Sequence, residues 1–228
     1  MTTPARVLTA RRWRSRRSAA VAGIVFALLL IAALVMLRLA VWNQDLEAVE
    51  LDPTRRTLVR LSLNLVPFAG IAFLWFIGVV RDQLGEVEDR LFSTVFLGSG
   101  LLFLAMLFQG AVTASTLVEM VPDHQLDAGL WTYGHSTTET LVSVYAMRMA
   151  AVFTLSVSTV VLRTASVHRW VAFSGYAVAL VLLLVAGTYK WAQLVFPAWV
   201  LVLSIAILVT PARSRPAPDL PPAVSPTG

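Results

Sequence analysis

The sequence predicts an all-α protein, a bundle of six membrane-spanning helices with both termini in the cytoplasm. Of its 228 residues, 57% are hydrophobic and only 14% are charged, whereas a soluble domain carries about a quarter charged residues. The apolar residues come in blocks long enough to cross a bilayer. Arg residues are concentrated in alternate loops, as the loops on one side of a membrane require.

Six segments reach the length of about 20 mainly apolar residues that a membrane-spanning helix needs. They are 19–42, 58–80, 91–117, 139–162, 170–188 and 191–210. Together they make residues 19–210 a six-span transmembrane domain. The first apolar run is too long for a cleavable signal peptide, so we expect it to be an uncleaved helix.

The two ends of the chain are predicted to be cytoplasmic tails. Residues 1–18 form a basic tail that includes the stretch "RRWRSRR". Because this stretch directly precedes an apolar block, it is typical of a topology signal or of a segment that binds anionic lipid. Residues 211–228 are rich in proline, and we expect them to be disordered.

The distribution of basic residues gives the predicted orientation. If there are six spans, the two tails and the second and fourth loops share one side, and they hold twelve Arg residues. The other side holds about five basic residues, and the third loop, 118–136, holds none. The positive-inside rule therefore places both termini in the cytoplasm. The preference for Arg over Lys, with much Ala and Val, suggests a GC-rich bacterial genome.

The composition also excludes several classes of function. The chain has no cysteine, which excludes disulfides, thiol catalysis and Cys-ligated zinc or iron–sulfur centres. The net charge of +5 arises from residues at the chain ends and in loops, so it predicts no nucleic-acid partner. No cofactor is predicted.

Short motifs mark where two of the helices should begin. "DPT", Asp52–Thr54, fits an N-cap followed by a proline in the first turn, so the second helix should begin there. "STTE", Ser136–Glu139, fits a capping box at the start of the fourth helix.

Arg148 is the most informative polar residue of the predicted spans. It lies near the middle of the apolar segment "LVSVYAMRMAAVFTLSVSTVVLR", where a charge costs about 2.5–3.5 kcal/mol on insertion scales. Arg148 should therefore have a partner or line a polar cavity. On a regular helix, Tyr145 shares its face. The opposite face carries a small residue at every fourth position, which permits close helix packing: Ala146, Ala150, Thr154 and Ser158. We therefore expect protein on both faces of this helix.

Two further polar residues are predicted at a depth similar to that of Arg148, in the extracytoplasmic half. Asn64 lies in the second span and Gln109 in the third. One hypothesis is a site for a small polar or anionic ligand, formed by Arg148, Asn64, Gln109 and Tyr145. The alternative is structural: Arg148 bonds to Asn64, to Gln109 or to backbone carbonyls freed around Pro67.

The third loop offers a second candidate site, for a metal ion. His135 and Glu139 are four residues apart, which is a workable spacing for two metal ligands on a helix. His124, with Asp123 or Asp127, could complete such a site.

Three stretches resemble a family of uncharacterised actinobacterial multi-spanning integral membrane proteins. They are "LVPFAGIAFLWFIGVVRDQLGEVEDRLFSTVFLGSGLLFLAMLF" (65–108), "VYAMRMAAVFTLSVSTVVLRT" (144–164) and "RWVAFSGYAVALVLLL" (169–184). This resemblance implies a bacterial source and residence in the plasma (cell inner) membrane. Because the family has no assigned activity, it implies no site residues.

The sequence therefore predicts a multi-pass membrane protein that is not an enzyme, with membrane lipids as its immediate partners. Within that class it could be a binder of a small ligand, a transporter or a subunit of a larger complex. Two alternatives stay open: a membrane enzyme acting at the extracytoplasmic face, and a purely structural interaction protein.

Overall fold

A computed structural model describes residues 4–40, 53–84, 90–120, 127–164, 168–189 and 191–210 of the chain. The helices of these ranges are α1 (Pro4–Ala40), α2 (Pro53–Leu84), α3 (Arg90–Met120), α4, α5 (Arg169–Val185) and α6 (Val195–Val209). Helix α4 consists of an α-helical part (Ala128–Thr140), a π-helical turn (Leu141–Ala146) and a second α-helical part (Met147–Thr164). A short 3₁₀ turn, Ala192–Leu194, precedes α6.

The predicted all-α fold class is confirmed. The described residues contain helices and turns but no strand. Five of the helices are long and apolar enough to cross a membrane, and the sixth, Arg169–Val185, is apolar but shorter. The prediction that α2 begins at the "DPT" motif is also supported, since the helix starts at Pro53. Helix α1 is longer than predicted, because it already begins at Pro4 within the basic tail.

The predicted start of α4 is wrong. The helix begins at Ala128, and its N-cap is Asp127, nine residues before the expected cap at Ser136. Asp127 Oδ1 accepts a hydrogen bond of 2.6 Å from the backbone N–H of Leu130. Asp127 is an equally good cap. The polar residues after it form a helix because partly buried side chains on one side pack against the rest of the protein. The long third loop that the sequence suggested is therefore mostly helical.

The helices pack as antiparallel neighbours around a core of phenylalanine rings. Helix α1 packs against α2 and α6, α3 lies between α2 and α4, and α5 lies against α4 and α6. The buried ring of Phe73 on α2 is central to this core. Its centroid lies 4.5 to 6.0 Å from the centroids of four rings, one each on α1, α3, α4 and α6: Phe26, Phe103, Phe153 and Phe196. Such contacts replace the hydrophobic driving force that is absent between helices in lipid.

Small residues let the helices approach closely in the inner half of the bundle. A Cβ atom on Gly175 of α5 would collide with Ser158 Oγ of α4 and would lie 2.7 Å from the Trp199 ring of α6. Ser158 belongs to the predicted stripe of small residues on α4, and all four residues of that stripe are buried. The prediction of close packing along this face is therefore confirmed.

One level of the bundle lies about one bilayer thickness from a row of arginines, and it is called outer after the predicted orientation. Leu37, Ser62, Gly110 and Val142, from α1 to α4, line one small cavity and so lie at a common height; we call this height the outer level. Along the same four helices, an arginine lies 19 to 21 residues further in, which corresponds to about 30 Å of helix: Arg17, Arg81, Arg90 and Arg163. This distance matches the hydrocarbon thickness of a bilayer.

The turn between α5 and α6 also lies at the outer level. Ser143 Oγ of α4 donates a 3.4 Å hydrogen bond to Oε1 of Gln193, which follows this turn. A Cβ on Gly187 would lie 2.8 Å from Val144. Gly187 has a φ of 86°, a backbone conformation that favours glycine. The outer level is therefore where α5 ends and α6 begins. Helix α1 ends close to the same level, and α2, α3 and α4 extend beyond it.

Helices α2, α3 and α4 continue past the outer level. We call residues 53–61, 111–120 and 128–141 the outer extension. It has its own small hydrophobic cluster, formed by Val59, Leu117, Val118 and Trp131. Its outward-facing residues include many Thr and Ser side chains, as expected for helices in water. Sequence hydropathy alone assigned part of this region to spans and part to a loop.

Candidate functional site

The side chain of Arg148 is exposed on the outside of the bundle. Its Cα lies six residues further in than Val142, or about 9 Å inward of the outer level. Because Cα–Cβ bonds tilt toward the N-terminus of a helix, and the N-terminus of α4 lies on the outer side, the long Arg148 side chain leans toward the outer level. The charge that interrupts the apolar segment therefore approaches the membrane boundary instead of entering the protein.

Tyr145 lies one turn outward of Arg148 and is also exposed, with 53% of its surface accessible. The expectation of protein on both faces of α4 is therefore wrong within this chain. The face with the small residues is packed, and the face with Arg148 and Tyr145 is open. A helical wheel groups residues on one face, but it does not show which faces meet neighbouring helices.

Asn64 and Gln109 are exposed as well, and the bundle does not bring them to Arg148. They lie on α2 and α3, within about 3 Å of the outer level along their helices. Among the described residues, no hydrogen bond joins the side chains of Arg148, Asn64, Gln109 or Tyr145 to another side chain. Asn64 and Gln109 lie nearer the outer level than Arg148 does, and the three side chains are exposed on different helices.

The buried arginine near the outer level is Arg38, at the end of α1. Only 6% of its surface is accessible. Its guanidinium carbon lies 5.1 Å from the centre of the Trp191 ring, a geometry in which a cation is attracted to an aromatic face. The carboxylate of Glu139 acts electrostatically on the same guanidinium.

Arg38 thus joins three parts of the molecule: α1, the outer half of α4 and the turn between α5 and α6. Sequence reasoning named Glu139 only as a helix cap and a metal ligand, and it did not connect Glu139 with Arg38. The available signal was the distance of 21 residues from Arg17 to Arg38, which spans a bilayer and so puts Arg38 where polar side chains of several helices can meet.

Of the five residues named as candidate metal ligands, the structure describes three, and Asp127 is the N-cap of α4. His135 and Glu139 lie one turn apart on α4, and both are partly buried. The ring of His135 stacks on Trp131, with 6.2 Å between centroids and 26° between planes. No third His, Asp or Glu of the described ranges joins them in a group that could hold a metal ion. Asp123 and His124 lie outside the described residues.

Two small cavities lie next to these residues, between α1, α2, α3 and α4. The outer one, of about 30 Å³, is lined by Leu37, Trp131, His135 and Thr138 among others. The inner one, of about 20 Å³, also includes Thr138 and extends toward Val66. A cavity needs roughly 10–15 Å³ of such volume for one water molecule. Each space has about the volume of one or two water molecules, and both are too small for a metabolite.

The chain matches no protein-family model, and no curated protein or solved structure matches it significantly. The resemblance to uncharacterised actinobacterial membrane proteins therefore stays a prediction.

Proposed function

We propose that the protein is a non-enzymatic subunit of a larger membrane complex in a bacterial plasma membrane, with both termini in the cytoplasm. The observation that carries this proposal is the exposed position of Arg148 on the membrane-facing side of α4. A charge inside a membrane span normally faces protein or a water-filled cavity. The helices of this chain pack against the opposite face of α4 and leave the face with Arg148 exposed. A second polypeptide could pack against that exposed face.

The chemistry of this surface specifies the partner. The Arg148 guanidinium only donates hydrogen bonds, and Tyr145 adds a hydroxyl group one turn away. A transmembrane helix with an Asp, Glu, Asn or Gln near its outer end would supply the acceptors. Among the functions open to a non-enzymatic membrane protein, a subunit agrees best with cavities of about 20–30 Å³, which leave little room for a small ligand in the described part of the bundle.

A second candidate is a binder of anionic lipid, in which Arg148 holds a phosphate. The observation in its favour is the outward lean of Arg148 from a Cα about 9 Å below the outer level. The phosphate would come from the headgroup of a membrane lipid, and the exposed Tyr145 would donate a further hydrogen bond.

Native mass spectrometry of the protein, extracted from its own membrane without detergent, tests both candidates. We expect wild type and Arg148→Lys to carry an additional, non-identical polypeptide, and Arg148→Ala to lose it. Arg169→Ala is the control, since Arg169 is an exposed arginine on α5 at the predicted cytoplasmic side.

A lipid mass that disappears only in Arg148→Ala would favour the second candidate and overturn the first. If wild type and the three variants carried the same bound molecules, both candidate functions would be overturned. Reporter fusions at the two termini test the orientation, and a signal from the extracytoplasmic side would contradict it.

A further inference from the structure

The π-helical turn of α4 contacts three other parts of the bundle. Its sequence, "LVSVYA", contains neither proline nor glycine, so nothing local in the chain requires a turn of this rare kind. Val142 fits against Gly110 of α3, since a Cβ added to Gly110 would lie 2.6 Å from Val142 Cγ2. Val144 fits against Gly187 in the turn after α5, and Ser143 donates a long hydrogen bond of 3.4 Å to the segment before α6. Tertiary contacts therefore determine where α4 departs from a regular helix.

The part of α4 outward of this turn is much less buried than the part inward of it. We call residues 128–140 the outer arm. Only three residues of the outer arm are buried: Trp131, Gly134 and Thr138. Of residues 147–163, by contrast, ten are buried. A segment with few buried contacts moves at a low cost in free energy, so the outer arm is the half of α4 that can move more easily.

Empty space lies beside the outer arm. Trp131, His135 and Thr138 of the arm form one wall of the outer of the two cavities, which we call the outer cavity. Its opposite walls consist of apolar side chains from α1, α2 and α3. An apolar space of this kind offers a water molecule few polar partners, and the atoms around it lack dispersion contacts on one side. A movement of the outer arm into the outer cavity would gain these contacts.

The π-helical turn is suited to be the hinge for this movement, because sharp bends in helices occur at such turns. Trp131 lies ten residues outward of Leu141, which corresponds to about 15 Å of helix. Over this length, a bend of roughly 10° moves the indole ring by about 3 Å. We infer that α4 is hinged at its π-helical turn, and that the outer arm is a lid that closes on the outer cavity.

A glycine removes the main obstacle to this movement. A Cβ added to Gly134 would lie 2.6 Å from Leu117 Cδ1 of α3. The backbone of the outer arm therefore passes directly over the Leu117 side chain. Because position 134 carries no side chain, the arm can slide over Leu117 as it bends.

The hinge contains one residue of the membrane-facing surface of α4. Tyr145 belongs to the π-helical turn, and it is exposed one turn from Arg148. A partner polypeptide on this surface, which rests on the proposed function, would contact the hinge and bias the position of the outer arm. The protein would then signal at its extracytoplasmic end whether its membrane-facing surface is occupied.

Distances between pairs of spin labels test the hinge, and they can be measured in vesicles because the native chain has no cysteine. Labels at Thr132→Cys on the outer arm and Leu61→Cys on α2 should give two distances about 3 Å apart. The control pair, Val95→Cys and Ser174→Cys, lies at exposed positions in the inner halves of α3 and α5, and it should give one distance. A single outer distance as narrow as the control distance would overturn the hinge.

Two variants test the hinge and the glycine separately. Deletion of Leu141 removes the extra residue of the π-helical turn and gives a regular helix, so only one outer distance should remain. Gly134→Ala places a methyl group against Leu117 and should raise the share of the longer distance roughly threefold. Gly98→Ala is its control, since a Cβ at Gly98 would meet nothing within 4 Å. Two outer distances in the deletion variant would overturn the π-helical turn as the hinge.

The same distances, measured on the complex extracted from its own membrane, separate this inference from the proposed function. A ratio of the two distances that changes roughly threefold when Arg148→Ala loses the non-identical polypeptide would support the link to a partner. Two distances in a chain that carries no such polypeptide would support the hinge and overturn the proposed complex. A bound polypeptide whose loss leaves the ratio unchanged would support the complex and overturn the link between partner and arm.

Discussion

Arg38 and Arg148 are two arginines near the same membrane boundary, and they have opposite surroundings. Arg38 is almost fully buried, faces the ring of Trp191 and lies in the field of Glu139. Arg148 is exposed on the other side of α4 from the packed small residues. The sequence drew attention to Arg148 because its neighbours are apolar. Apolar neighbours in the sequence indicate where a charged residue is costly to insert. Whether that residue stabilises the fold depends on how many helices pack around its side chain.

Of the substitutions that test this comparison, Arg38→Ala is expected to lower the unfolding free energy most. Arg38→Ala removes a buried side chain and its contact with the Trp191 ring, and we expect a loss of about 2 kcal/mol of unfolding free energy. Unfolding by denaturant titration in mixed micelles measures this loss.

A double-mutant cycle with Glu139→Gln separates the electrostatic contribution from packing. If the two substitutions are additive, Glu139 does not contribute to the stability that Arg38 provides.

A smaller effect is expected at Trp191. Trp191→Leu retains an apolar side chain but removes the aromatic face 5.1 Å from the Arg38 guanidinium. The expected loss of unfolding free energy is about 1 kcal/mol, typical of a cation–π contact. Trp170→Leu is a suitable control, since Trp170 is highly exposed at the other end of α5. Equal losses in both variants would mean that the contact with Arg38 contributes nothing specific.

The smallest effect on the isolated chain is expected at Arg148. Arg148→Ala removes an exposed side chain, and the unfolding free energy of the monomer should change by less than about 0.5 kcal/mol. The same unfolding titration measures it. A loss as large as that of Arg38→Ala would contradict the distinction between the two arginines and indicate that Arg148 stabilises the fold itself.

The fold was predictable from the sequence because hydropathy over about 20 residues reports directly on membrane spans. The apolar blocks of α1, α2, α3, α5 and α6 overlap the helices found in the structure. The start of α4 was not predictable in this way. Its first turns are polar and lie beyond the outer level, where hydropathy no longer distinguishes a helix from a loop.

The candidate site was harder to predict than the fold, since residue spacing does not show direction. The height of Arg148, Asn64 and Gln109 near the outer half follows from counting residues along their helices. Their outward orientation depends on which side of α2, α3 and α4 the neighbouring helices occupy. Arg38 escaped identification because its importance comes from residues more than 100 positions away, on α4 and before α6.

The π-helical turn at Leu141–Ala146 has a consequence for the whole of α4. Such a turn accommodates one residue more than an α-helix would, and each residue corresponds to about 100° of rotation. It therefore sets the angular phase between the two halves of α4, with His135 and Glu139 above it and Arg148 below it. If the same residues rewound as a regular α-helix, the outer half would rotate by about 100°, which would carry Glu139 away from Arg38. Deleting one residue within the turn would restore a regular helix without this rotation. The turn acts as a rotational spacer that aligns the outer extension with the membrane-embedded bundle.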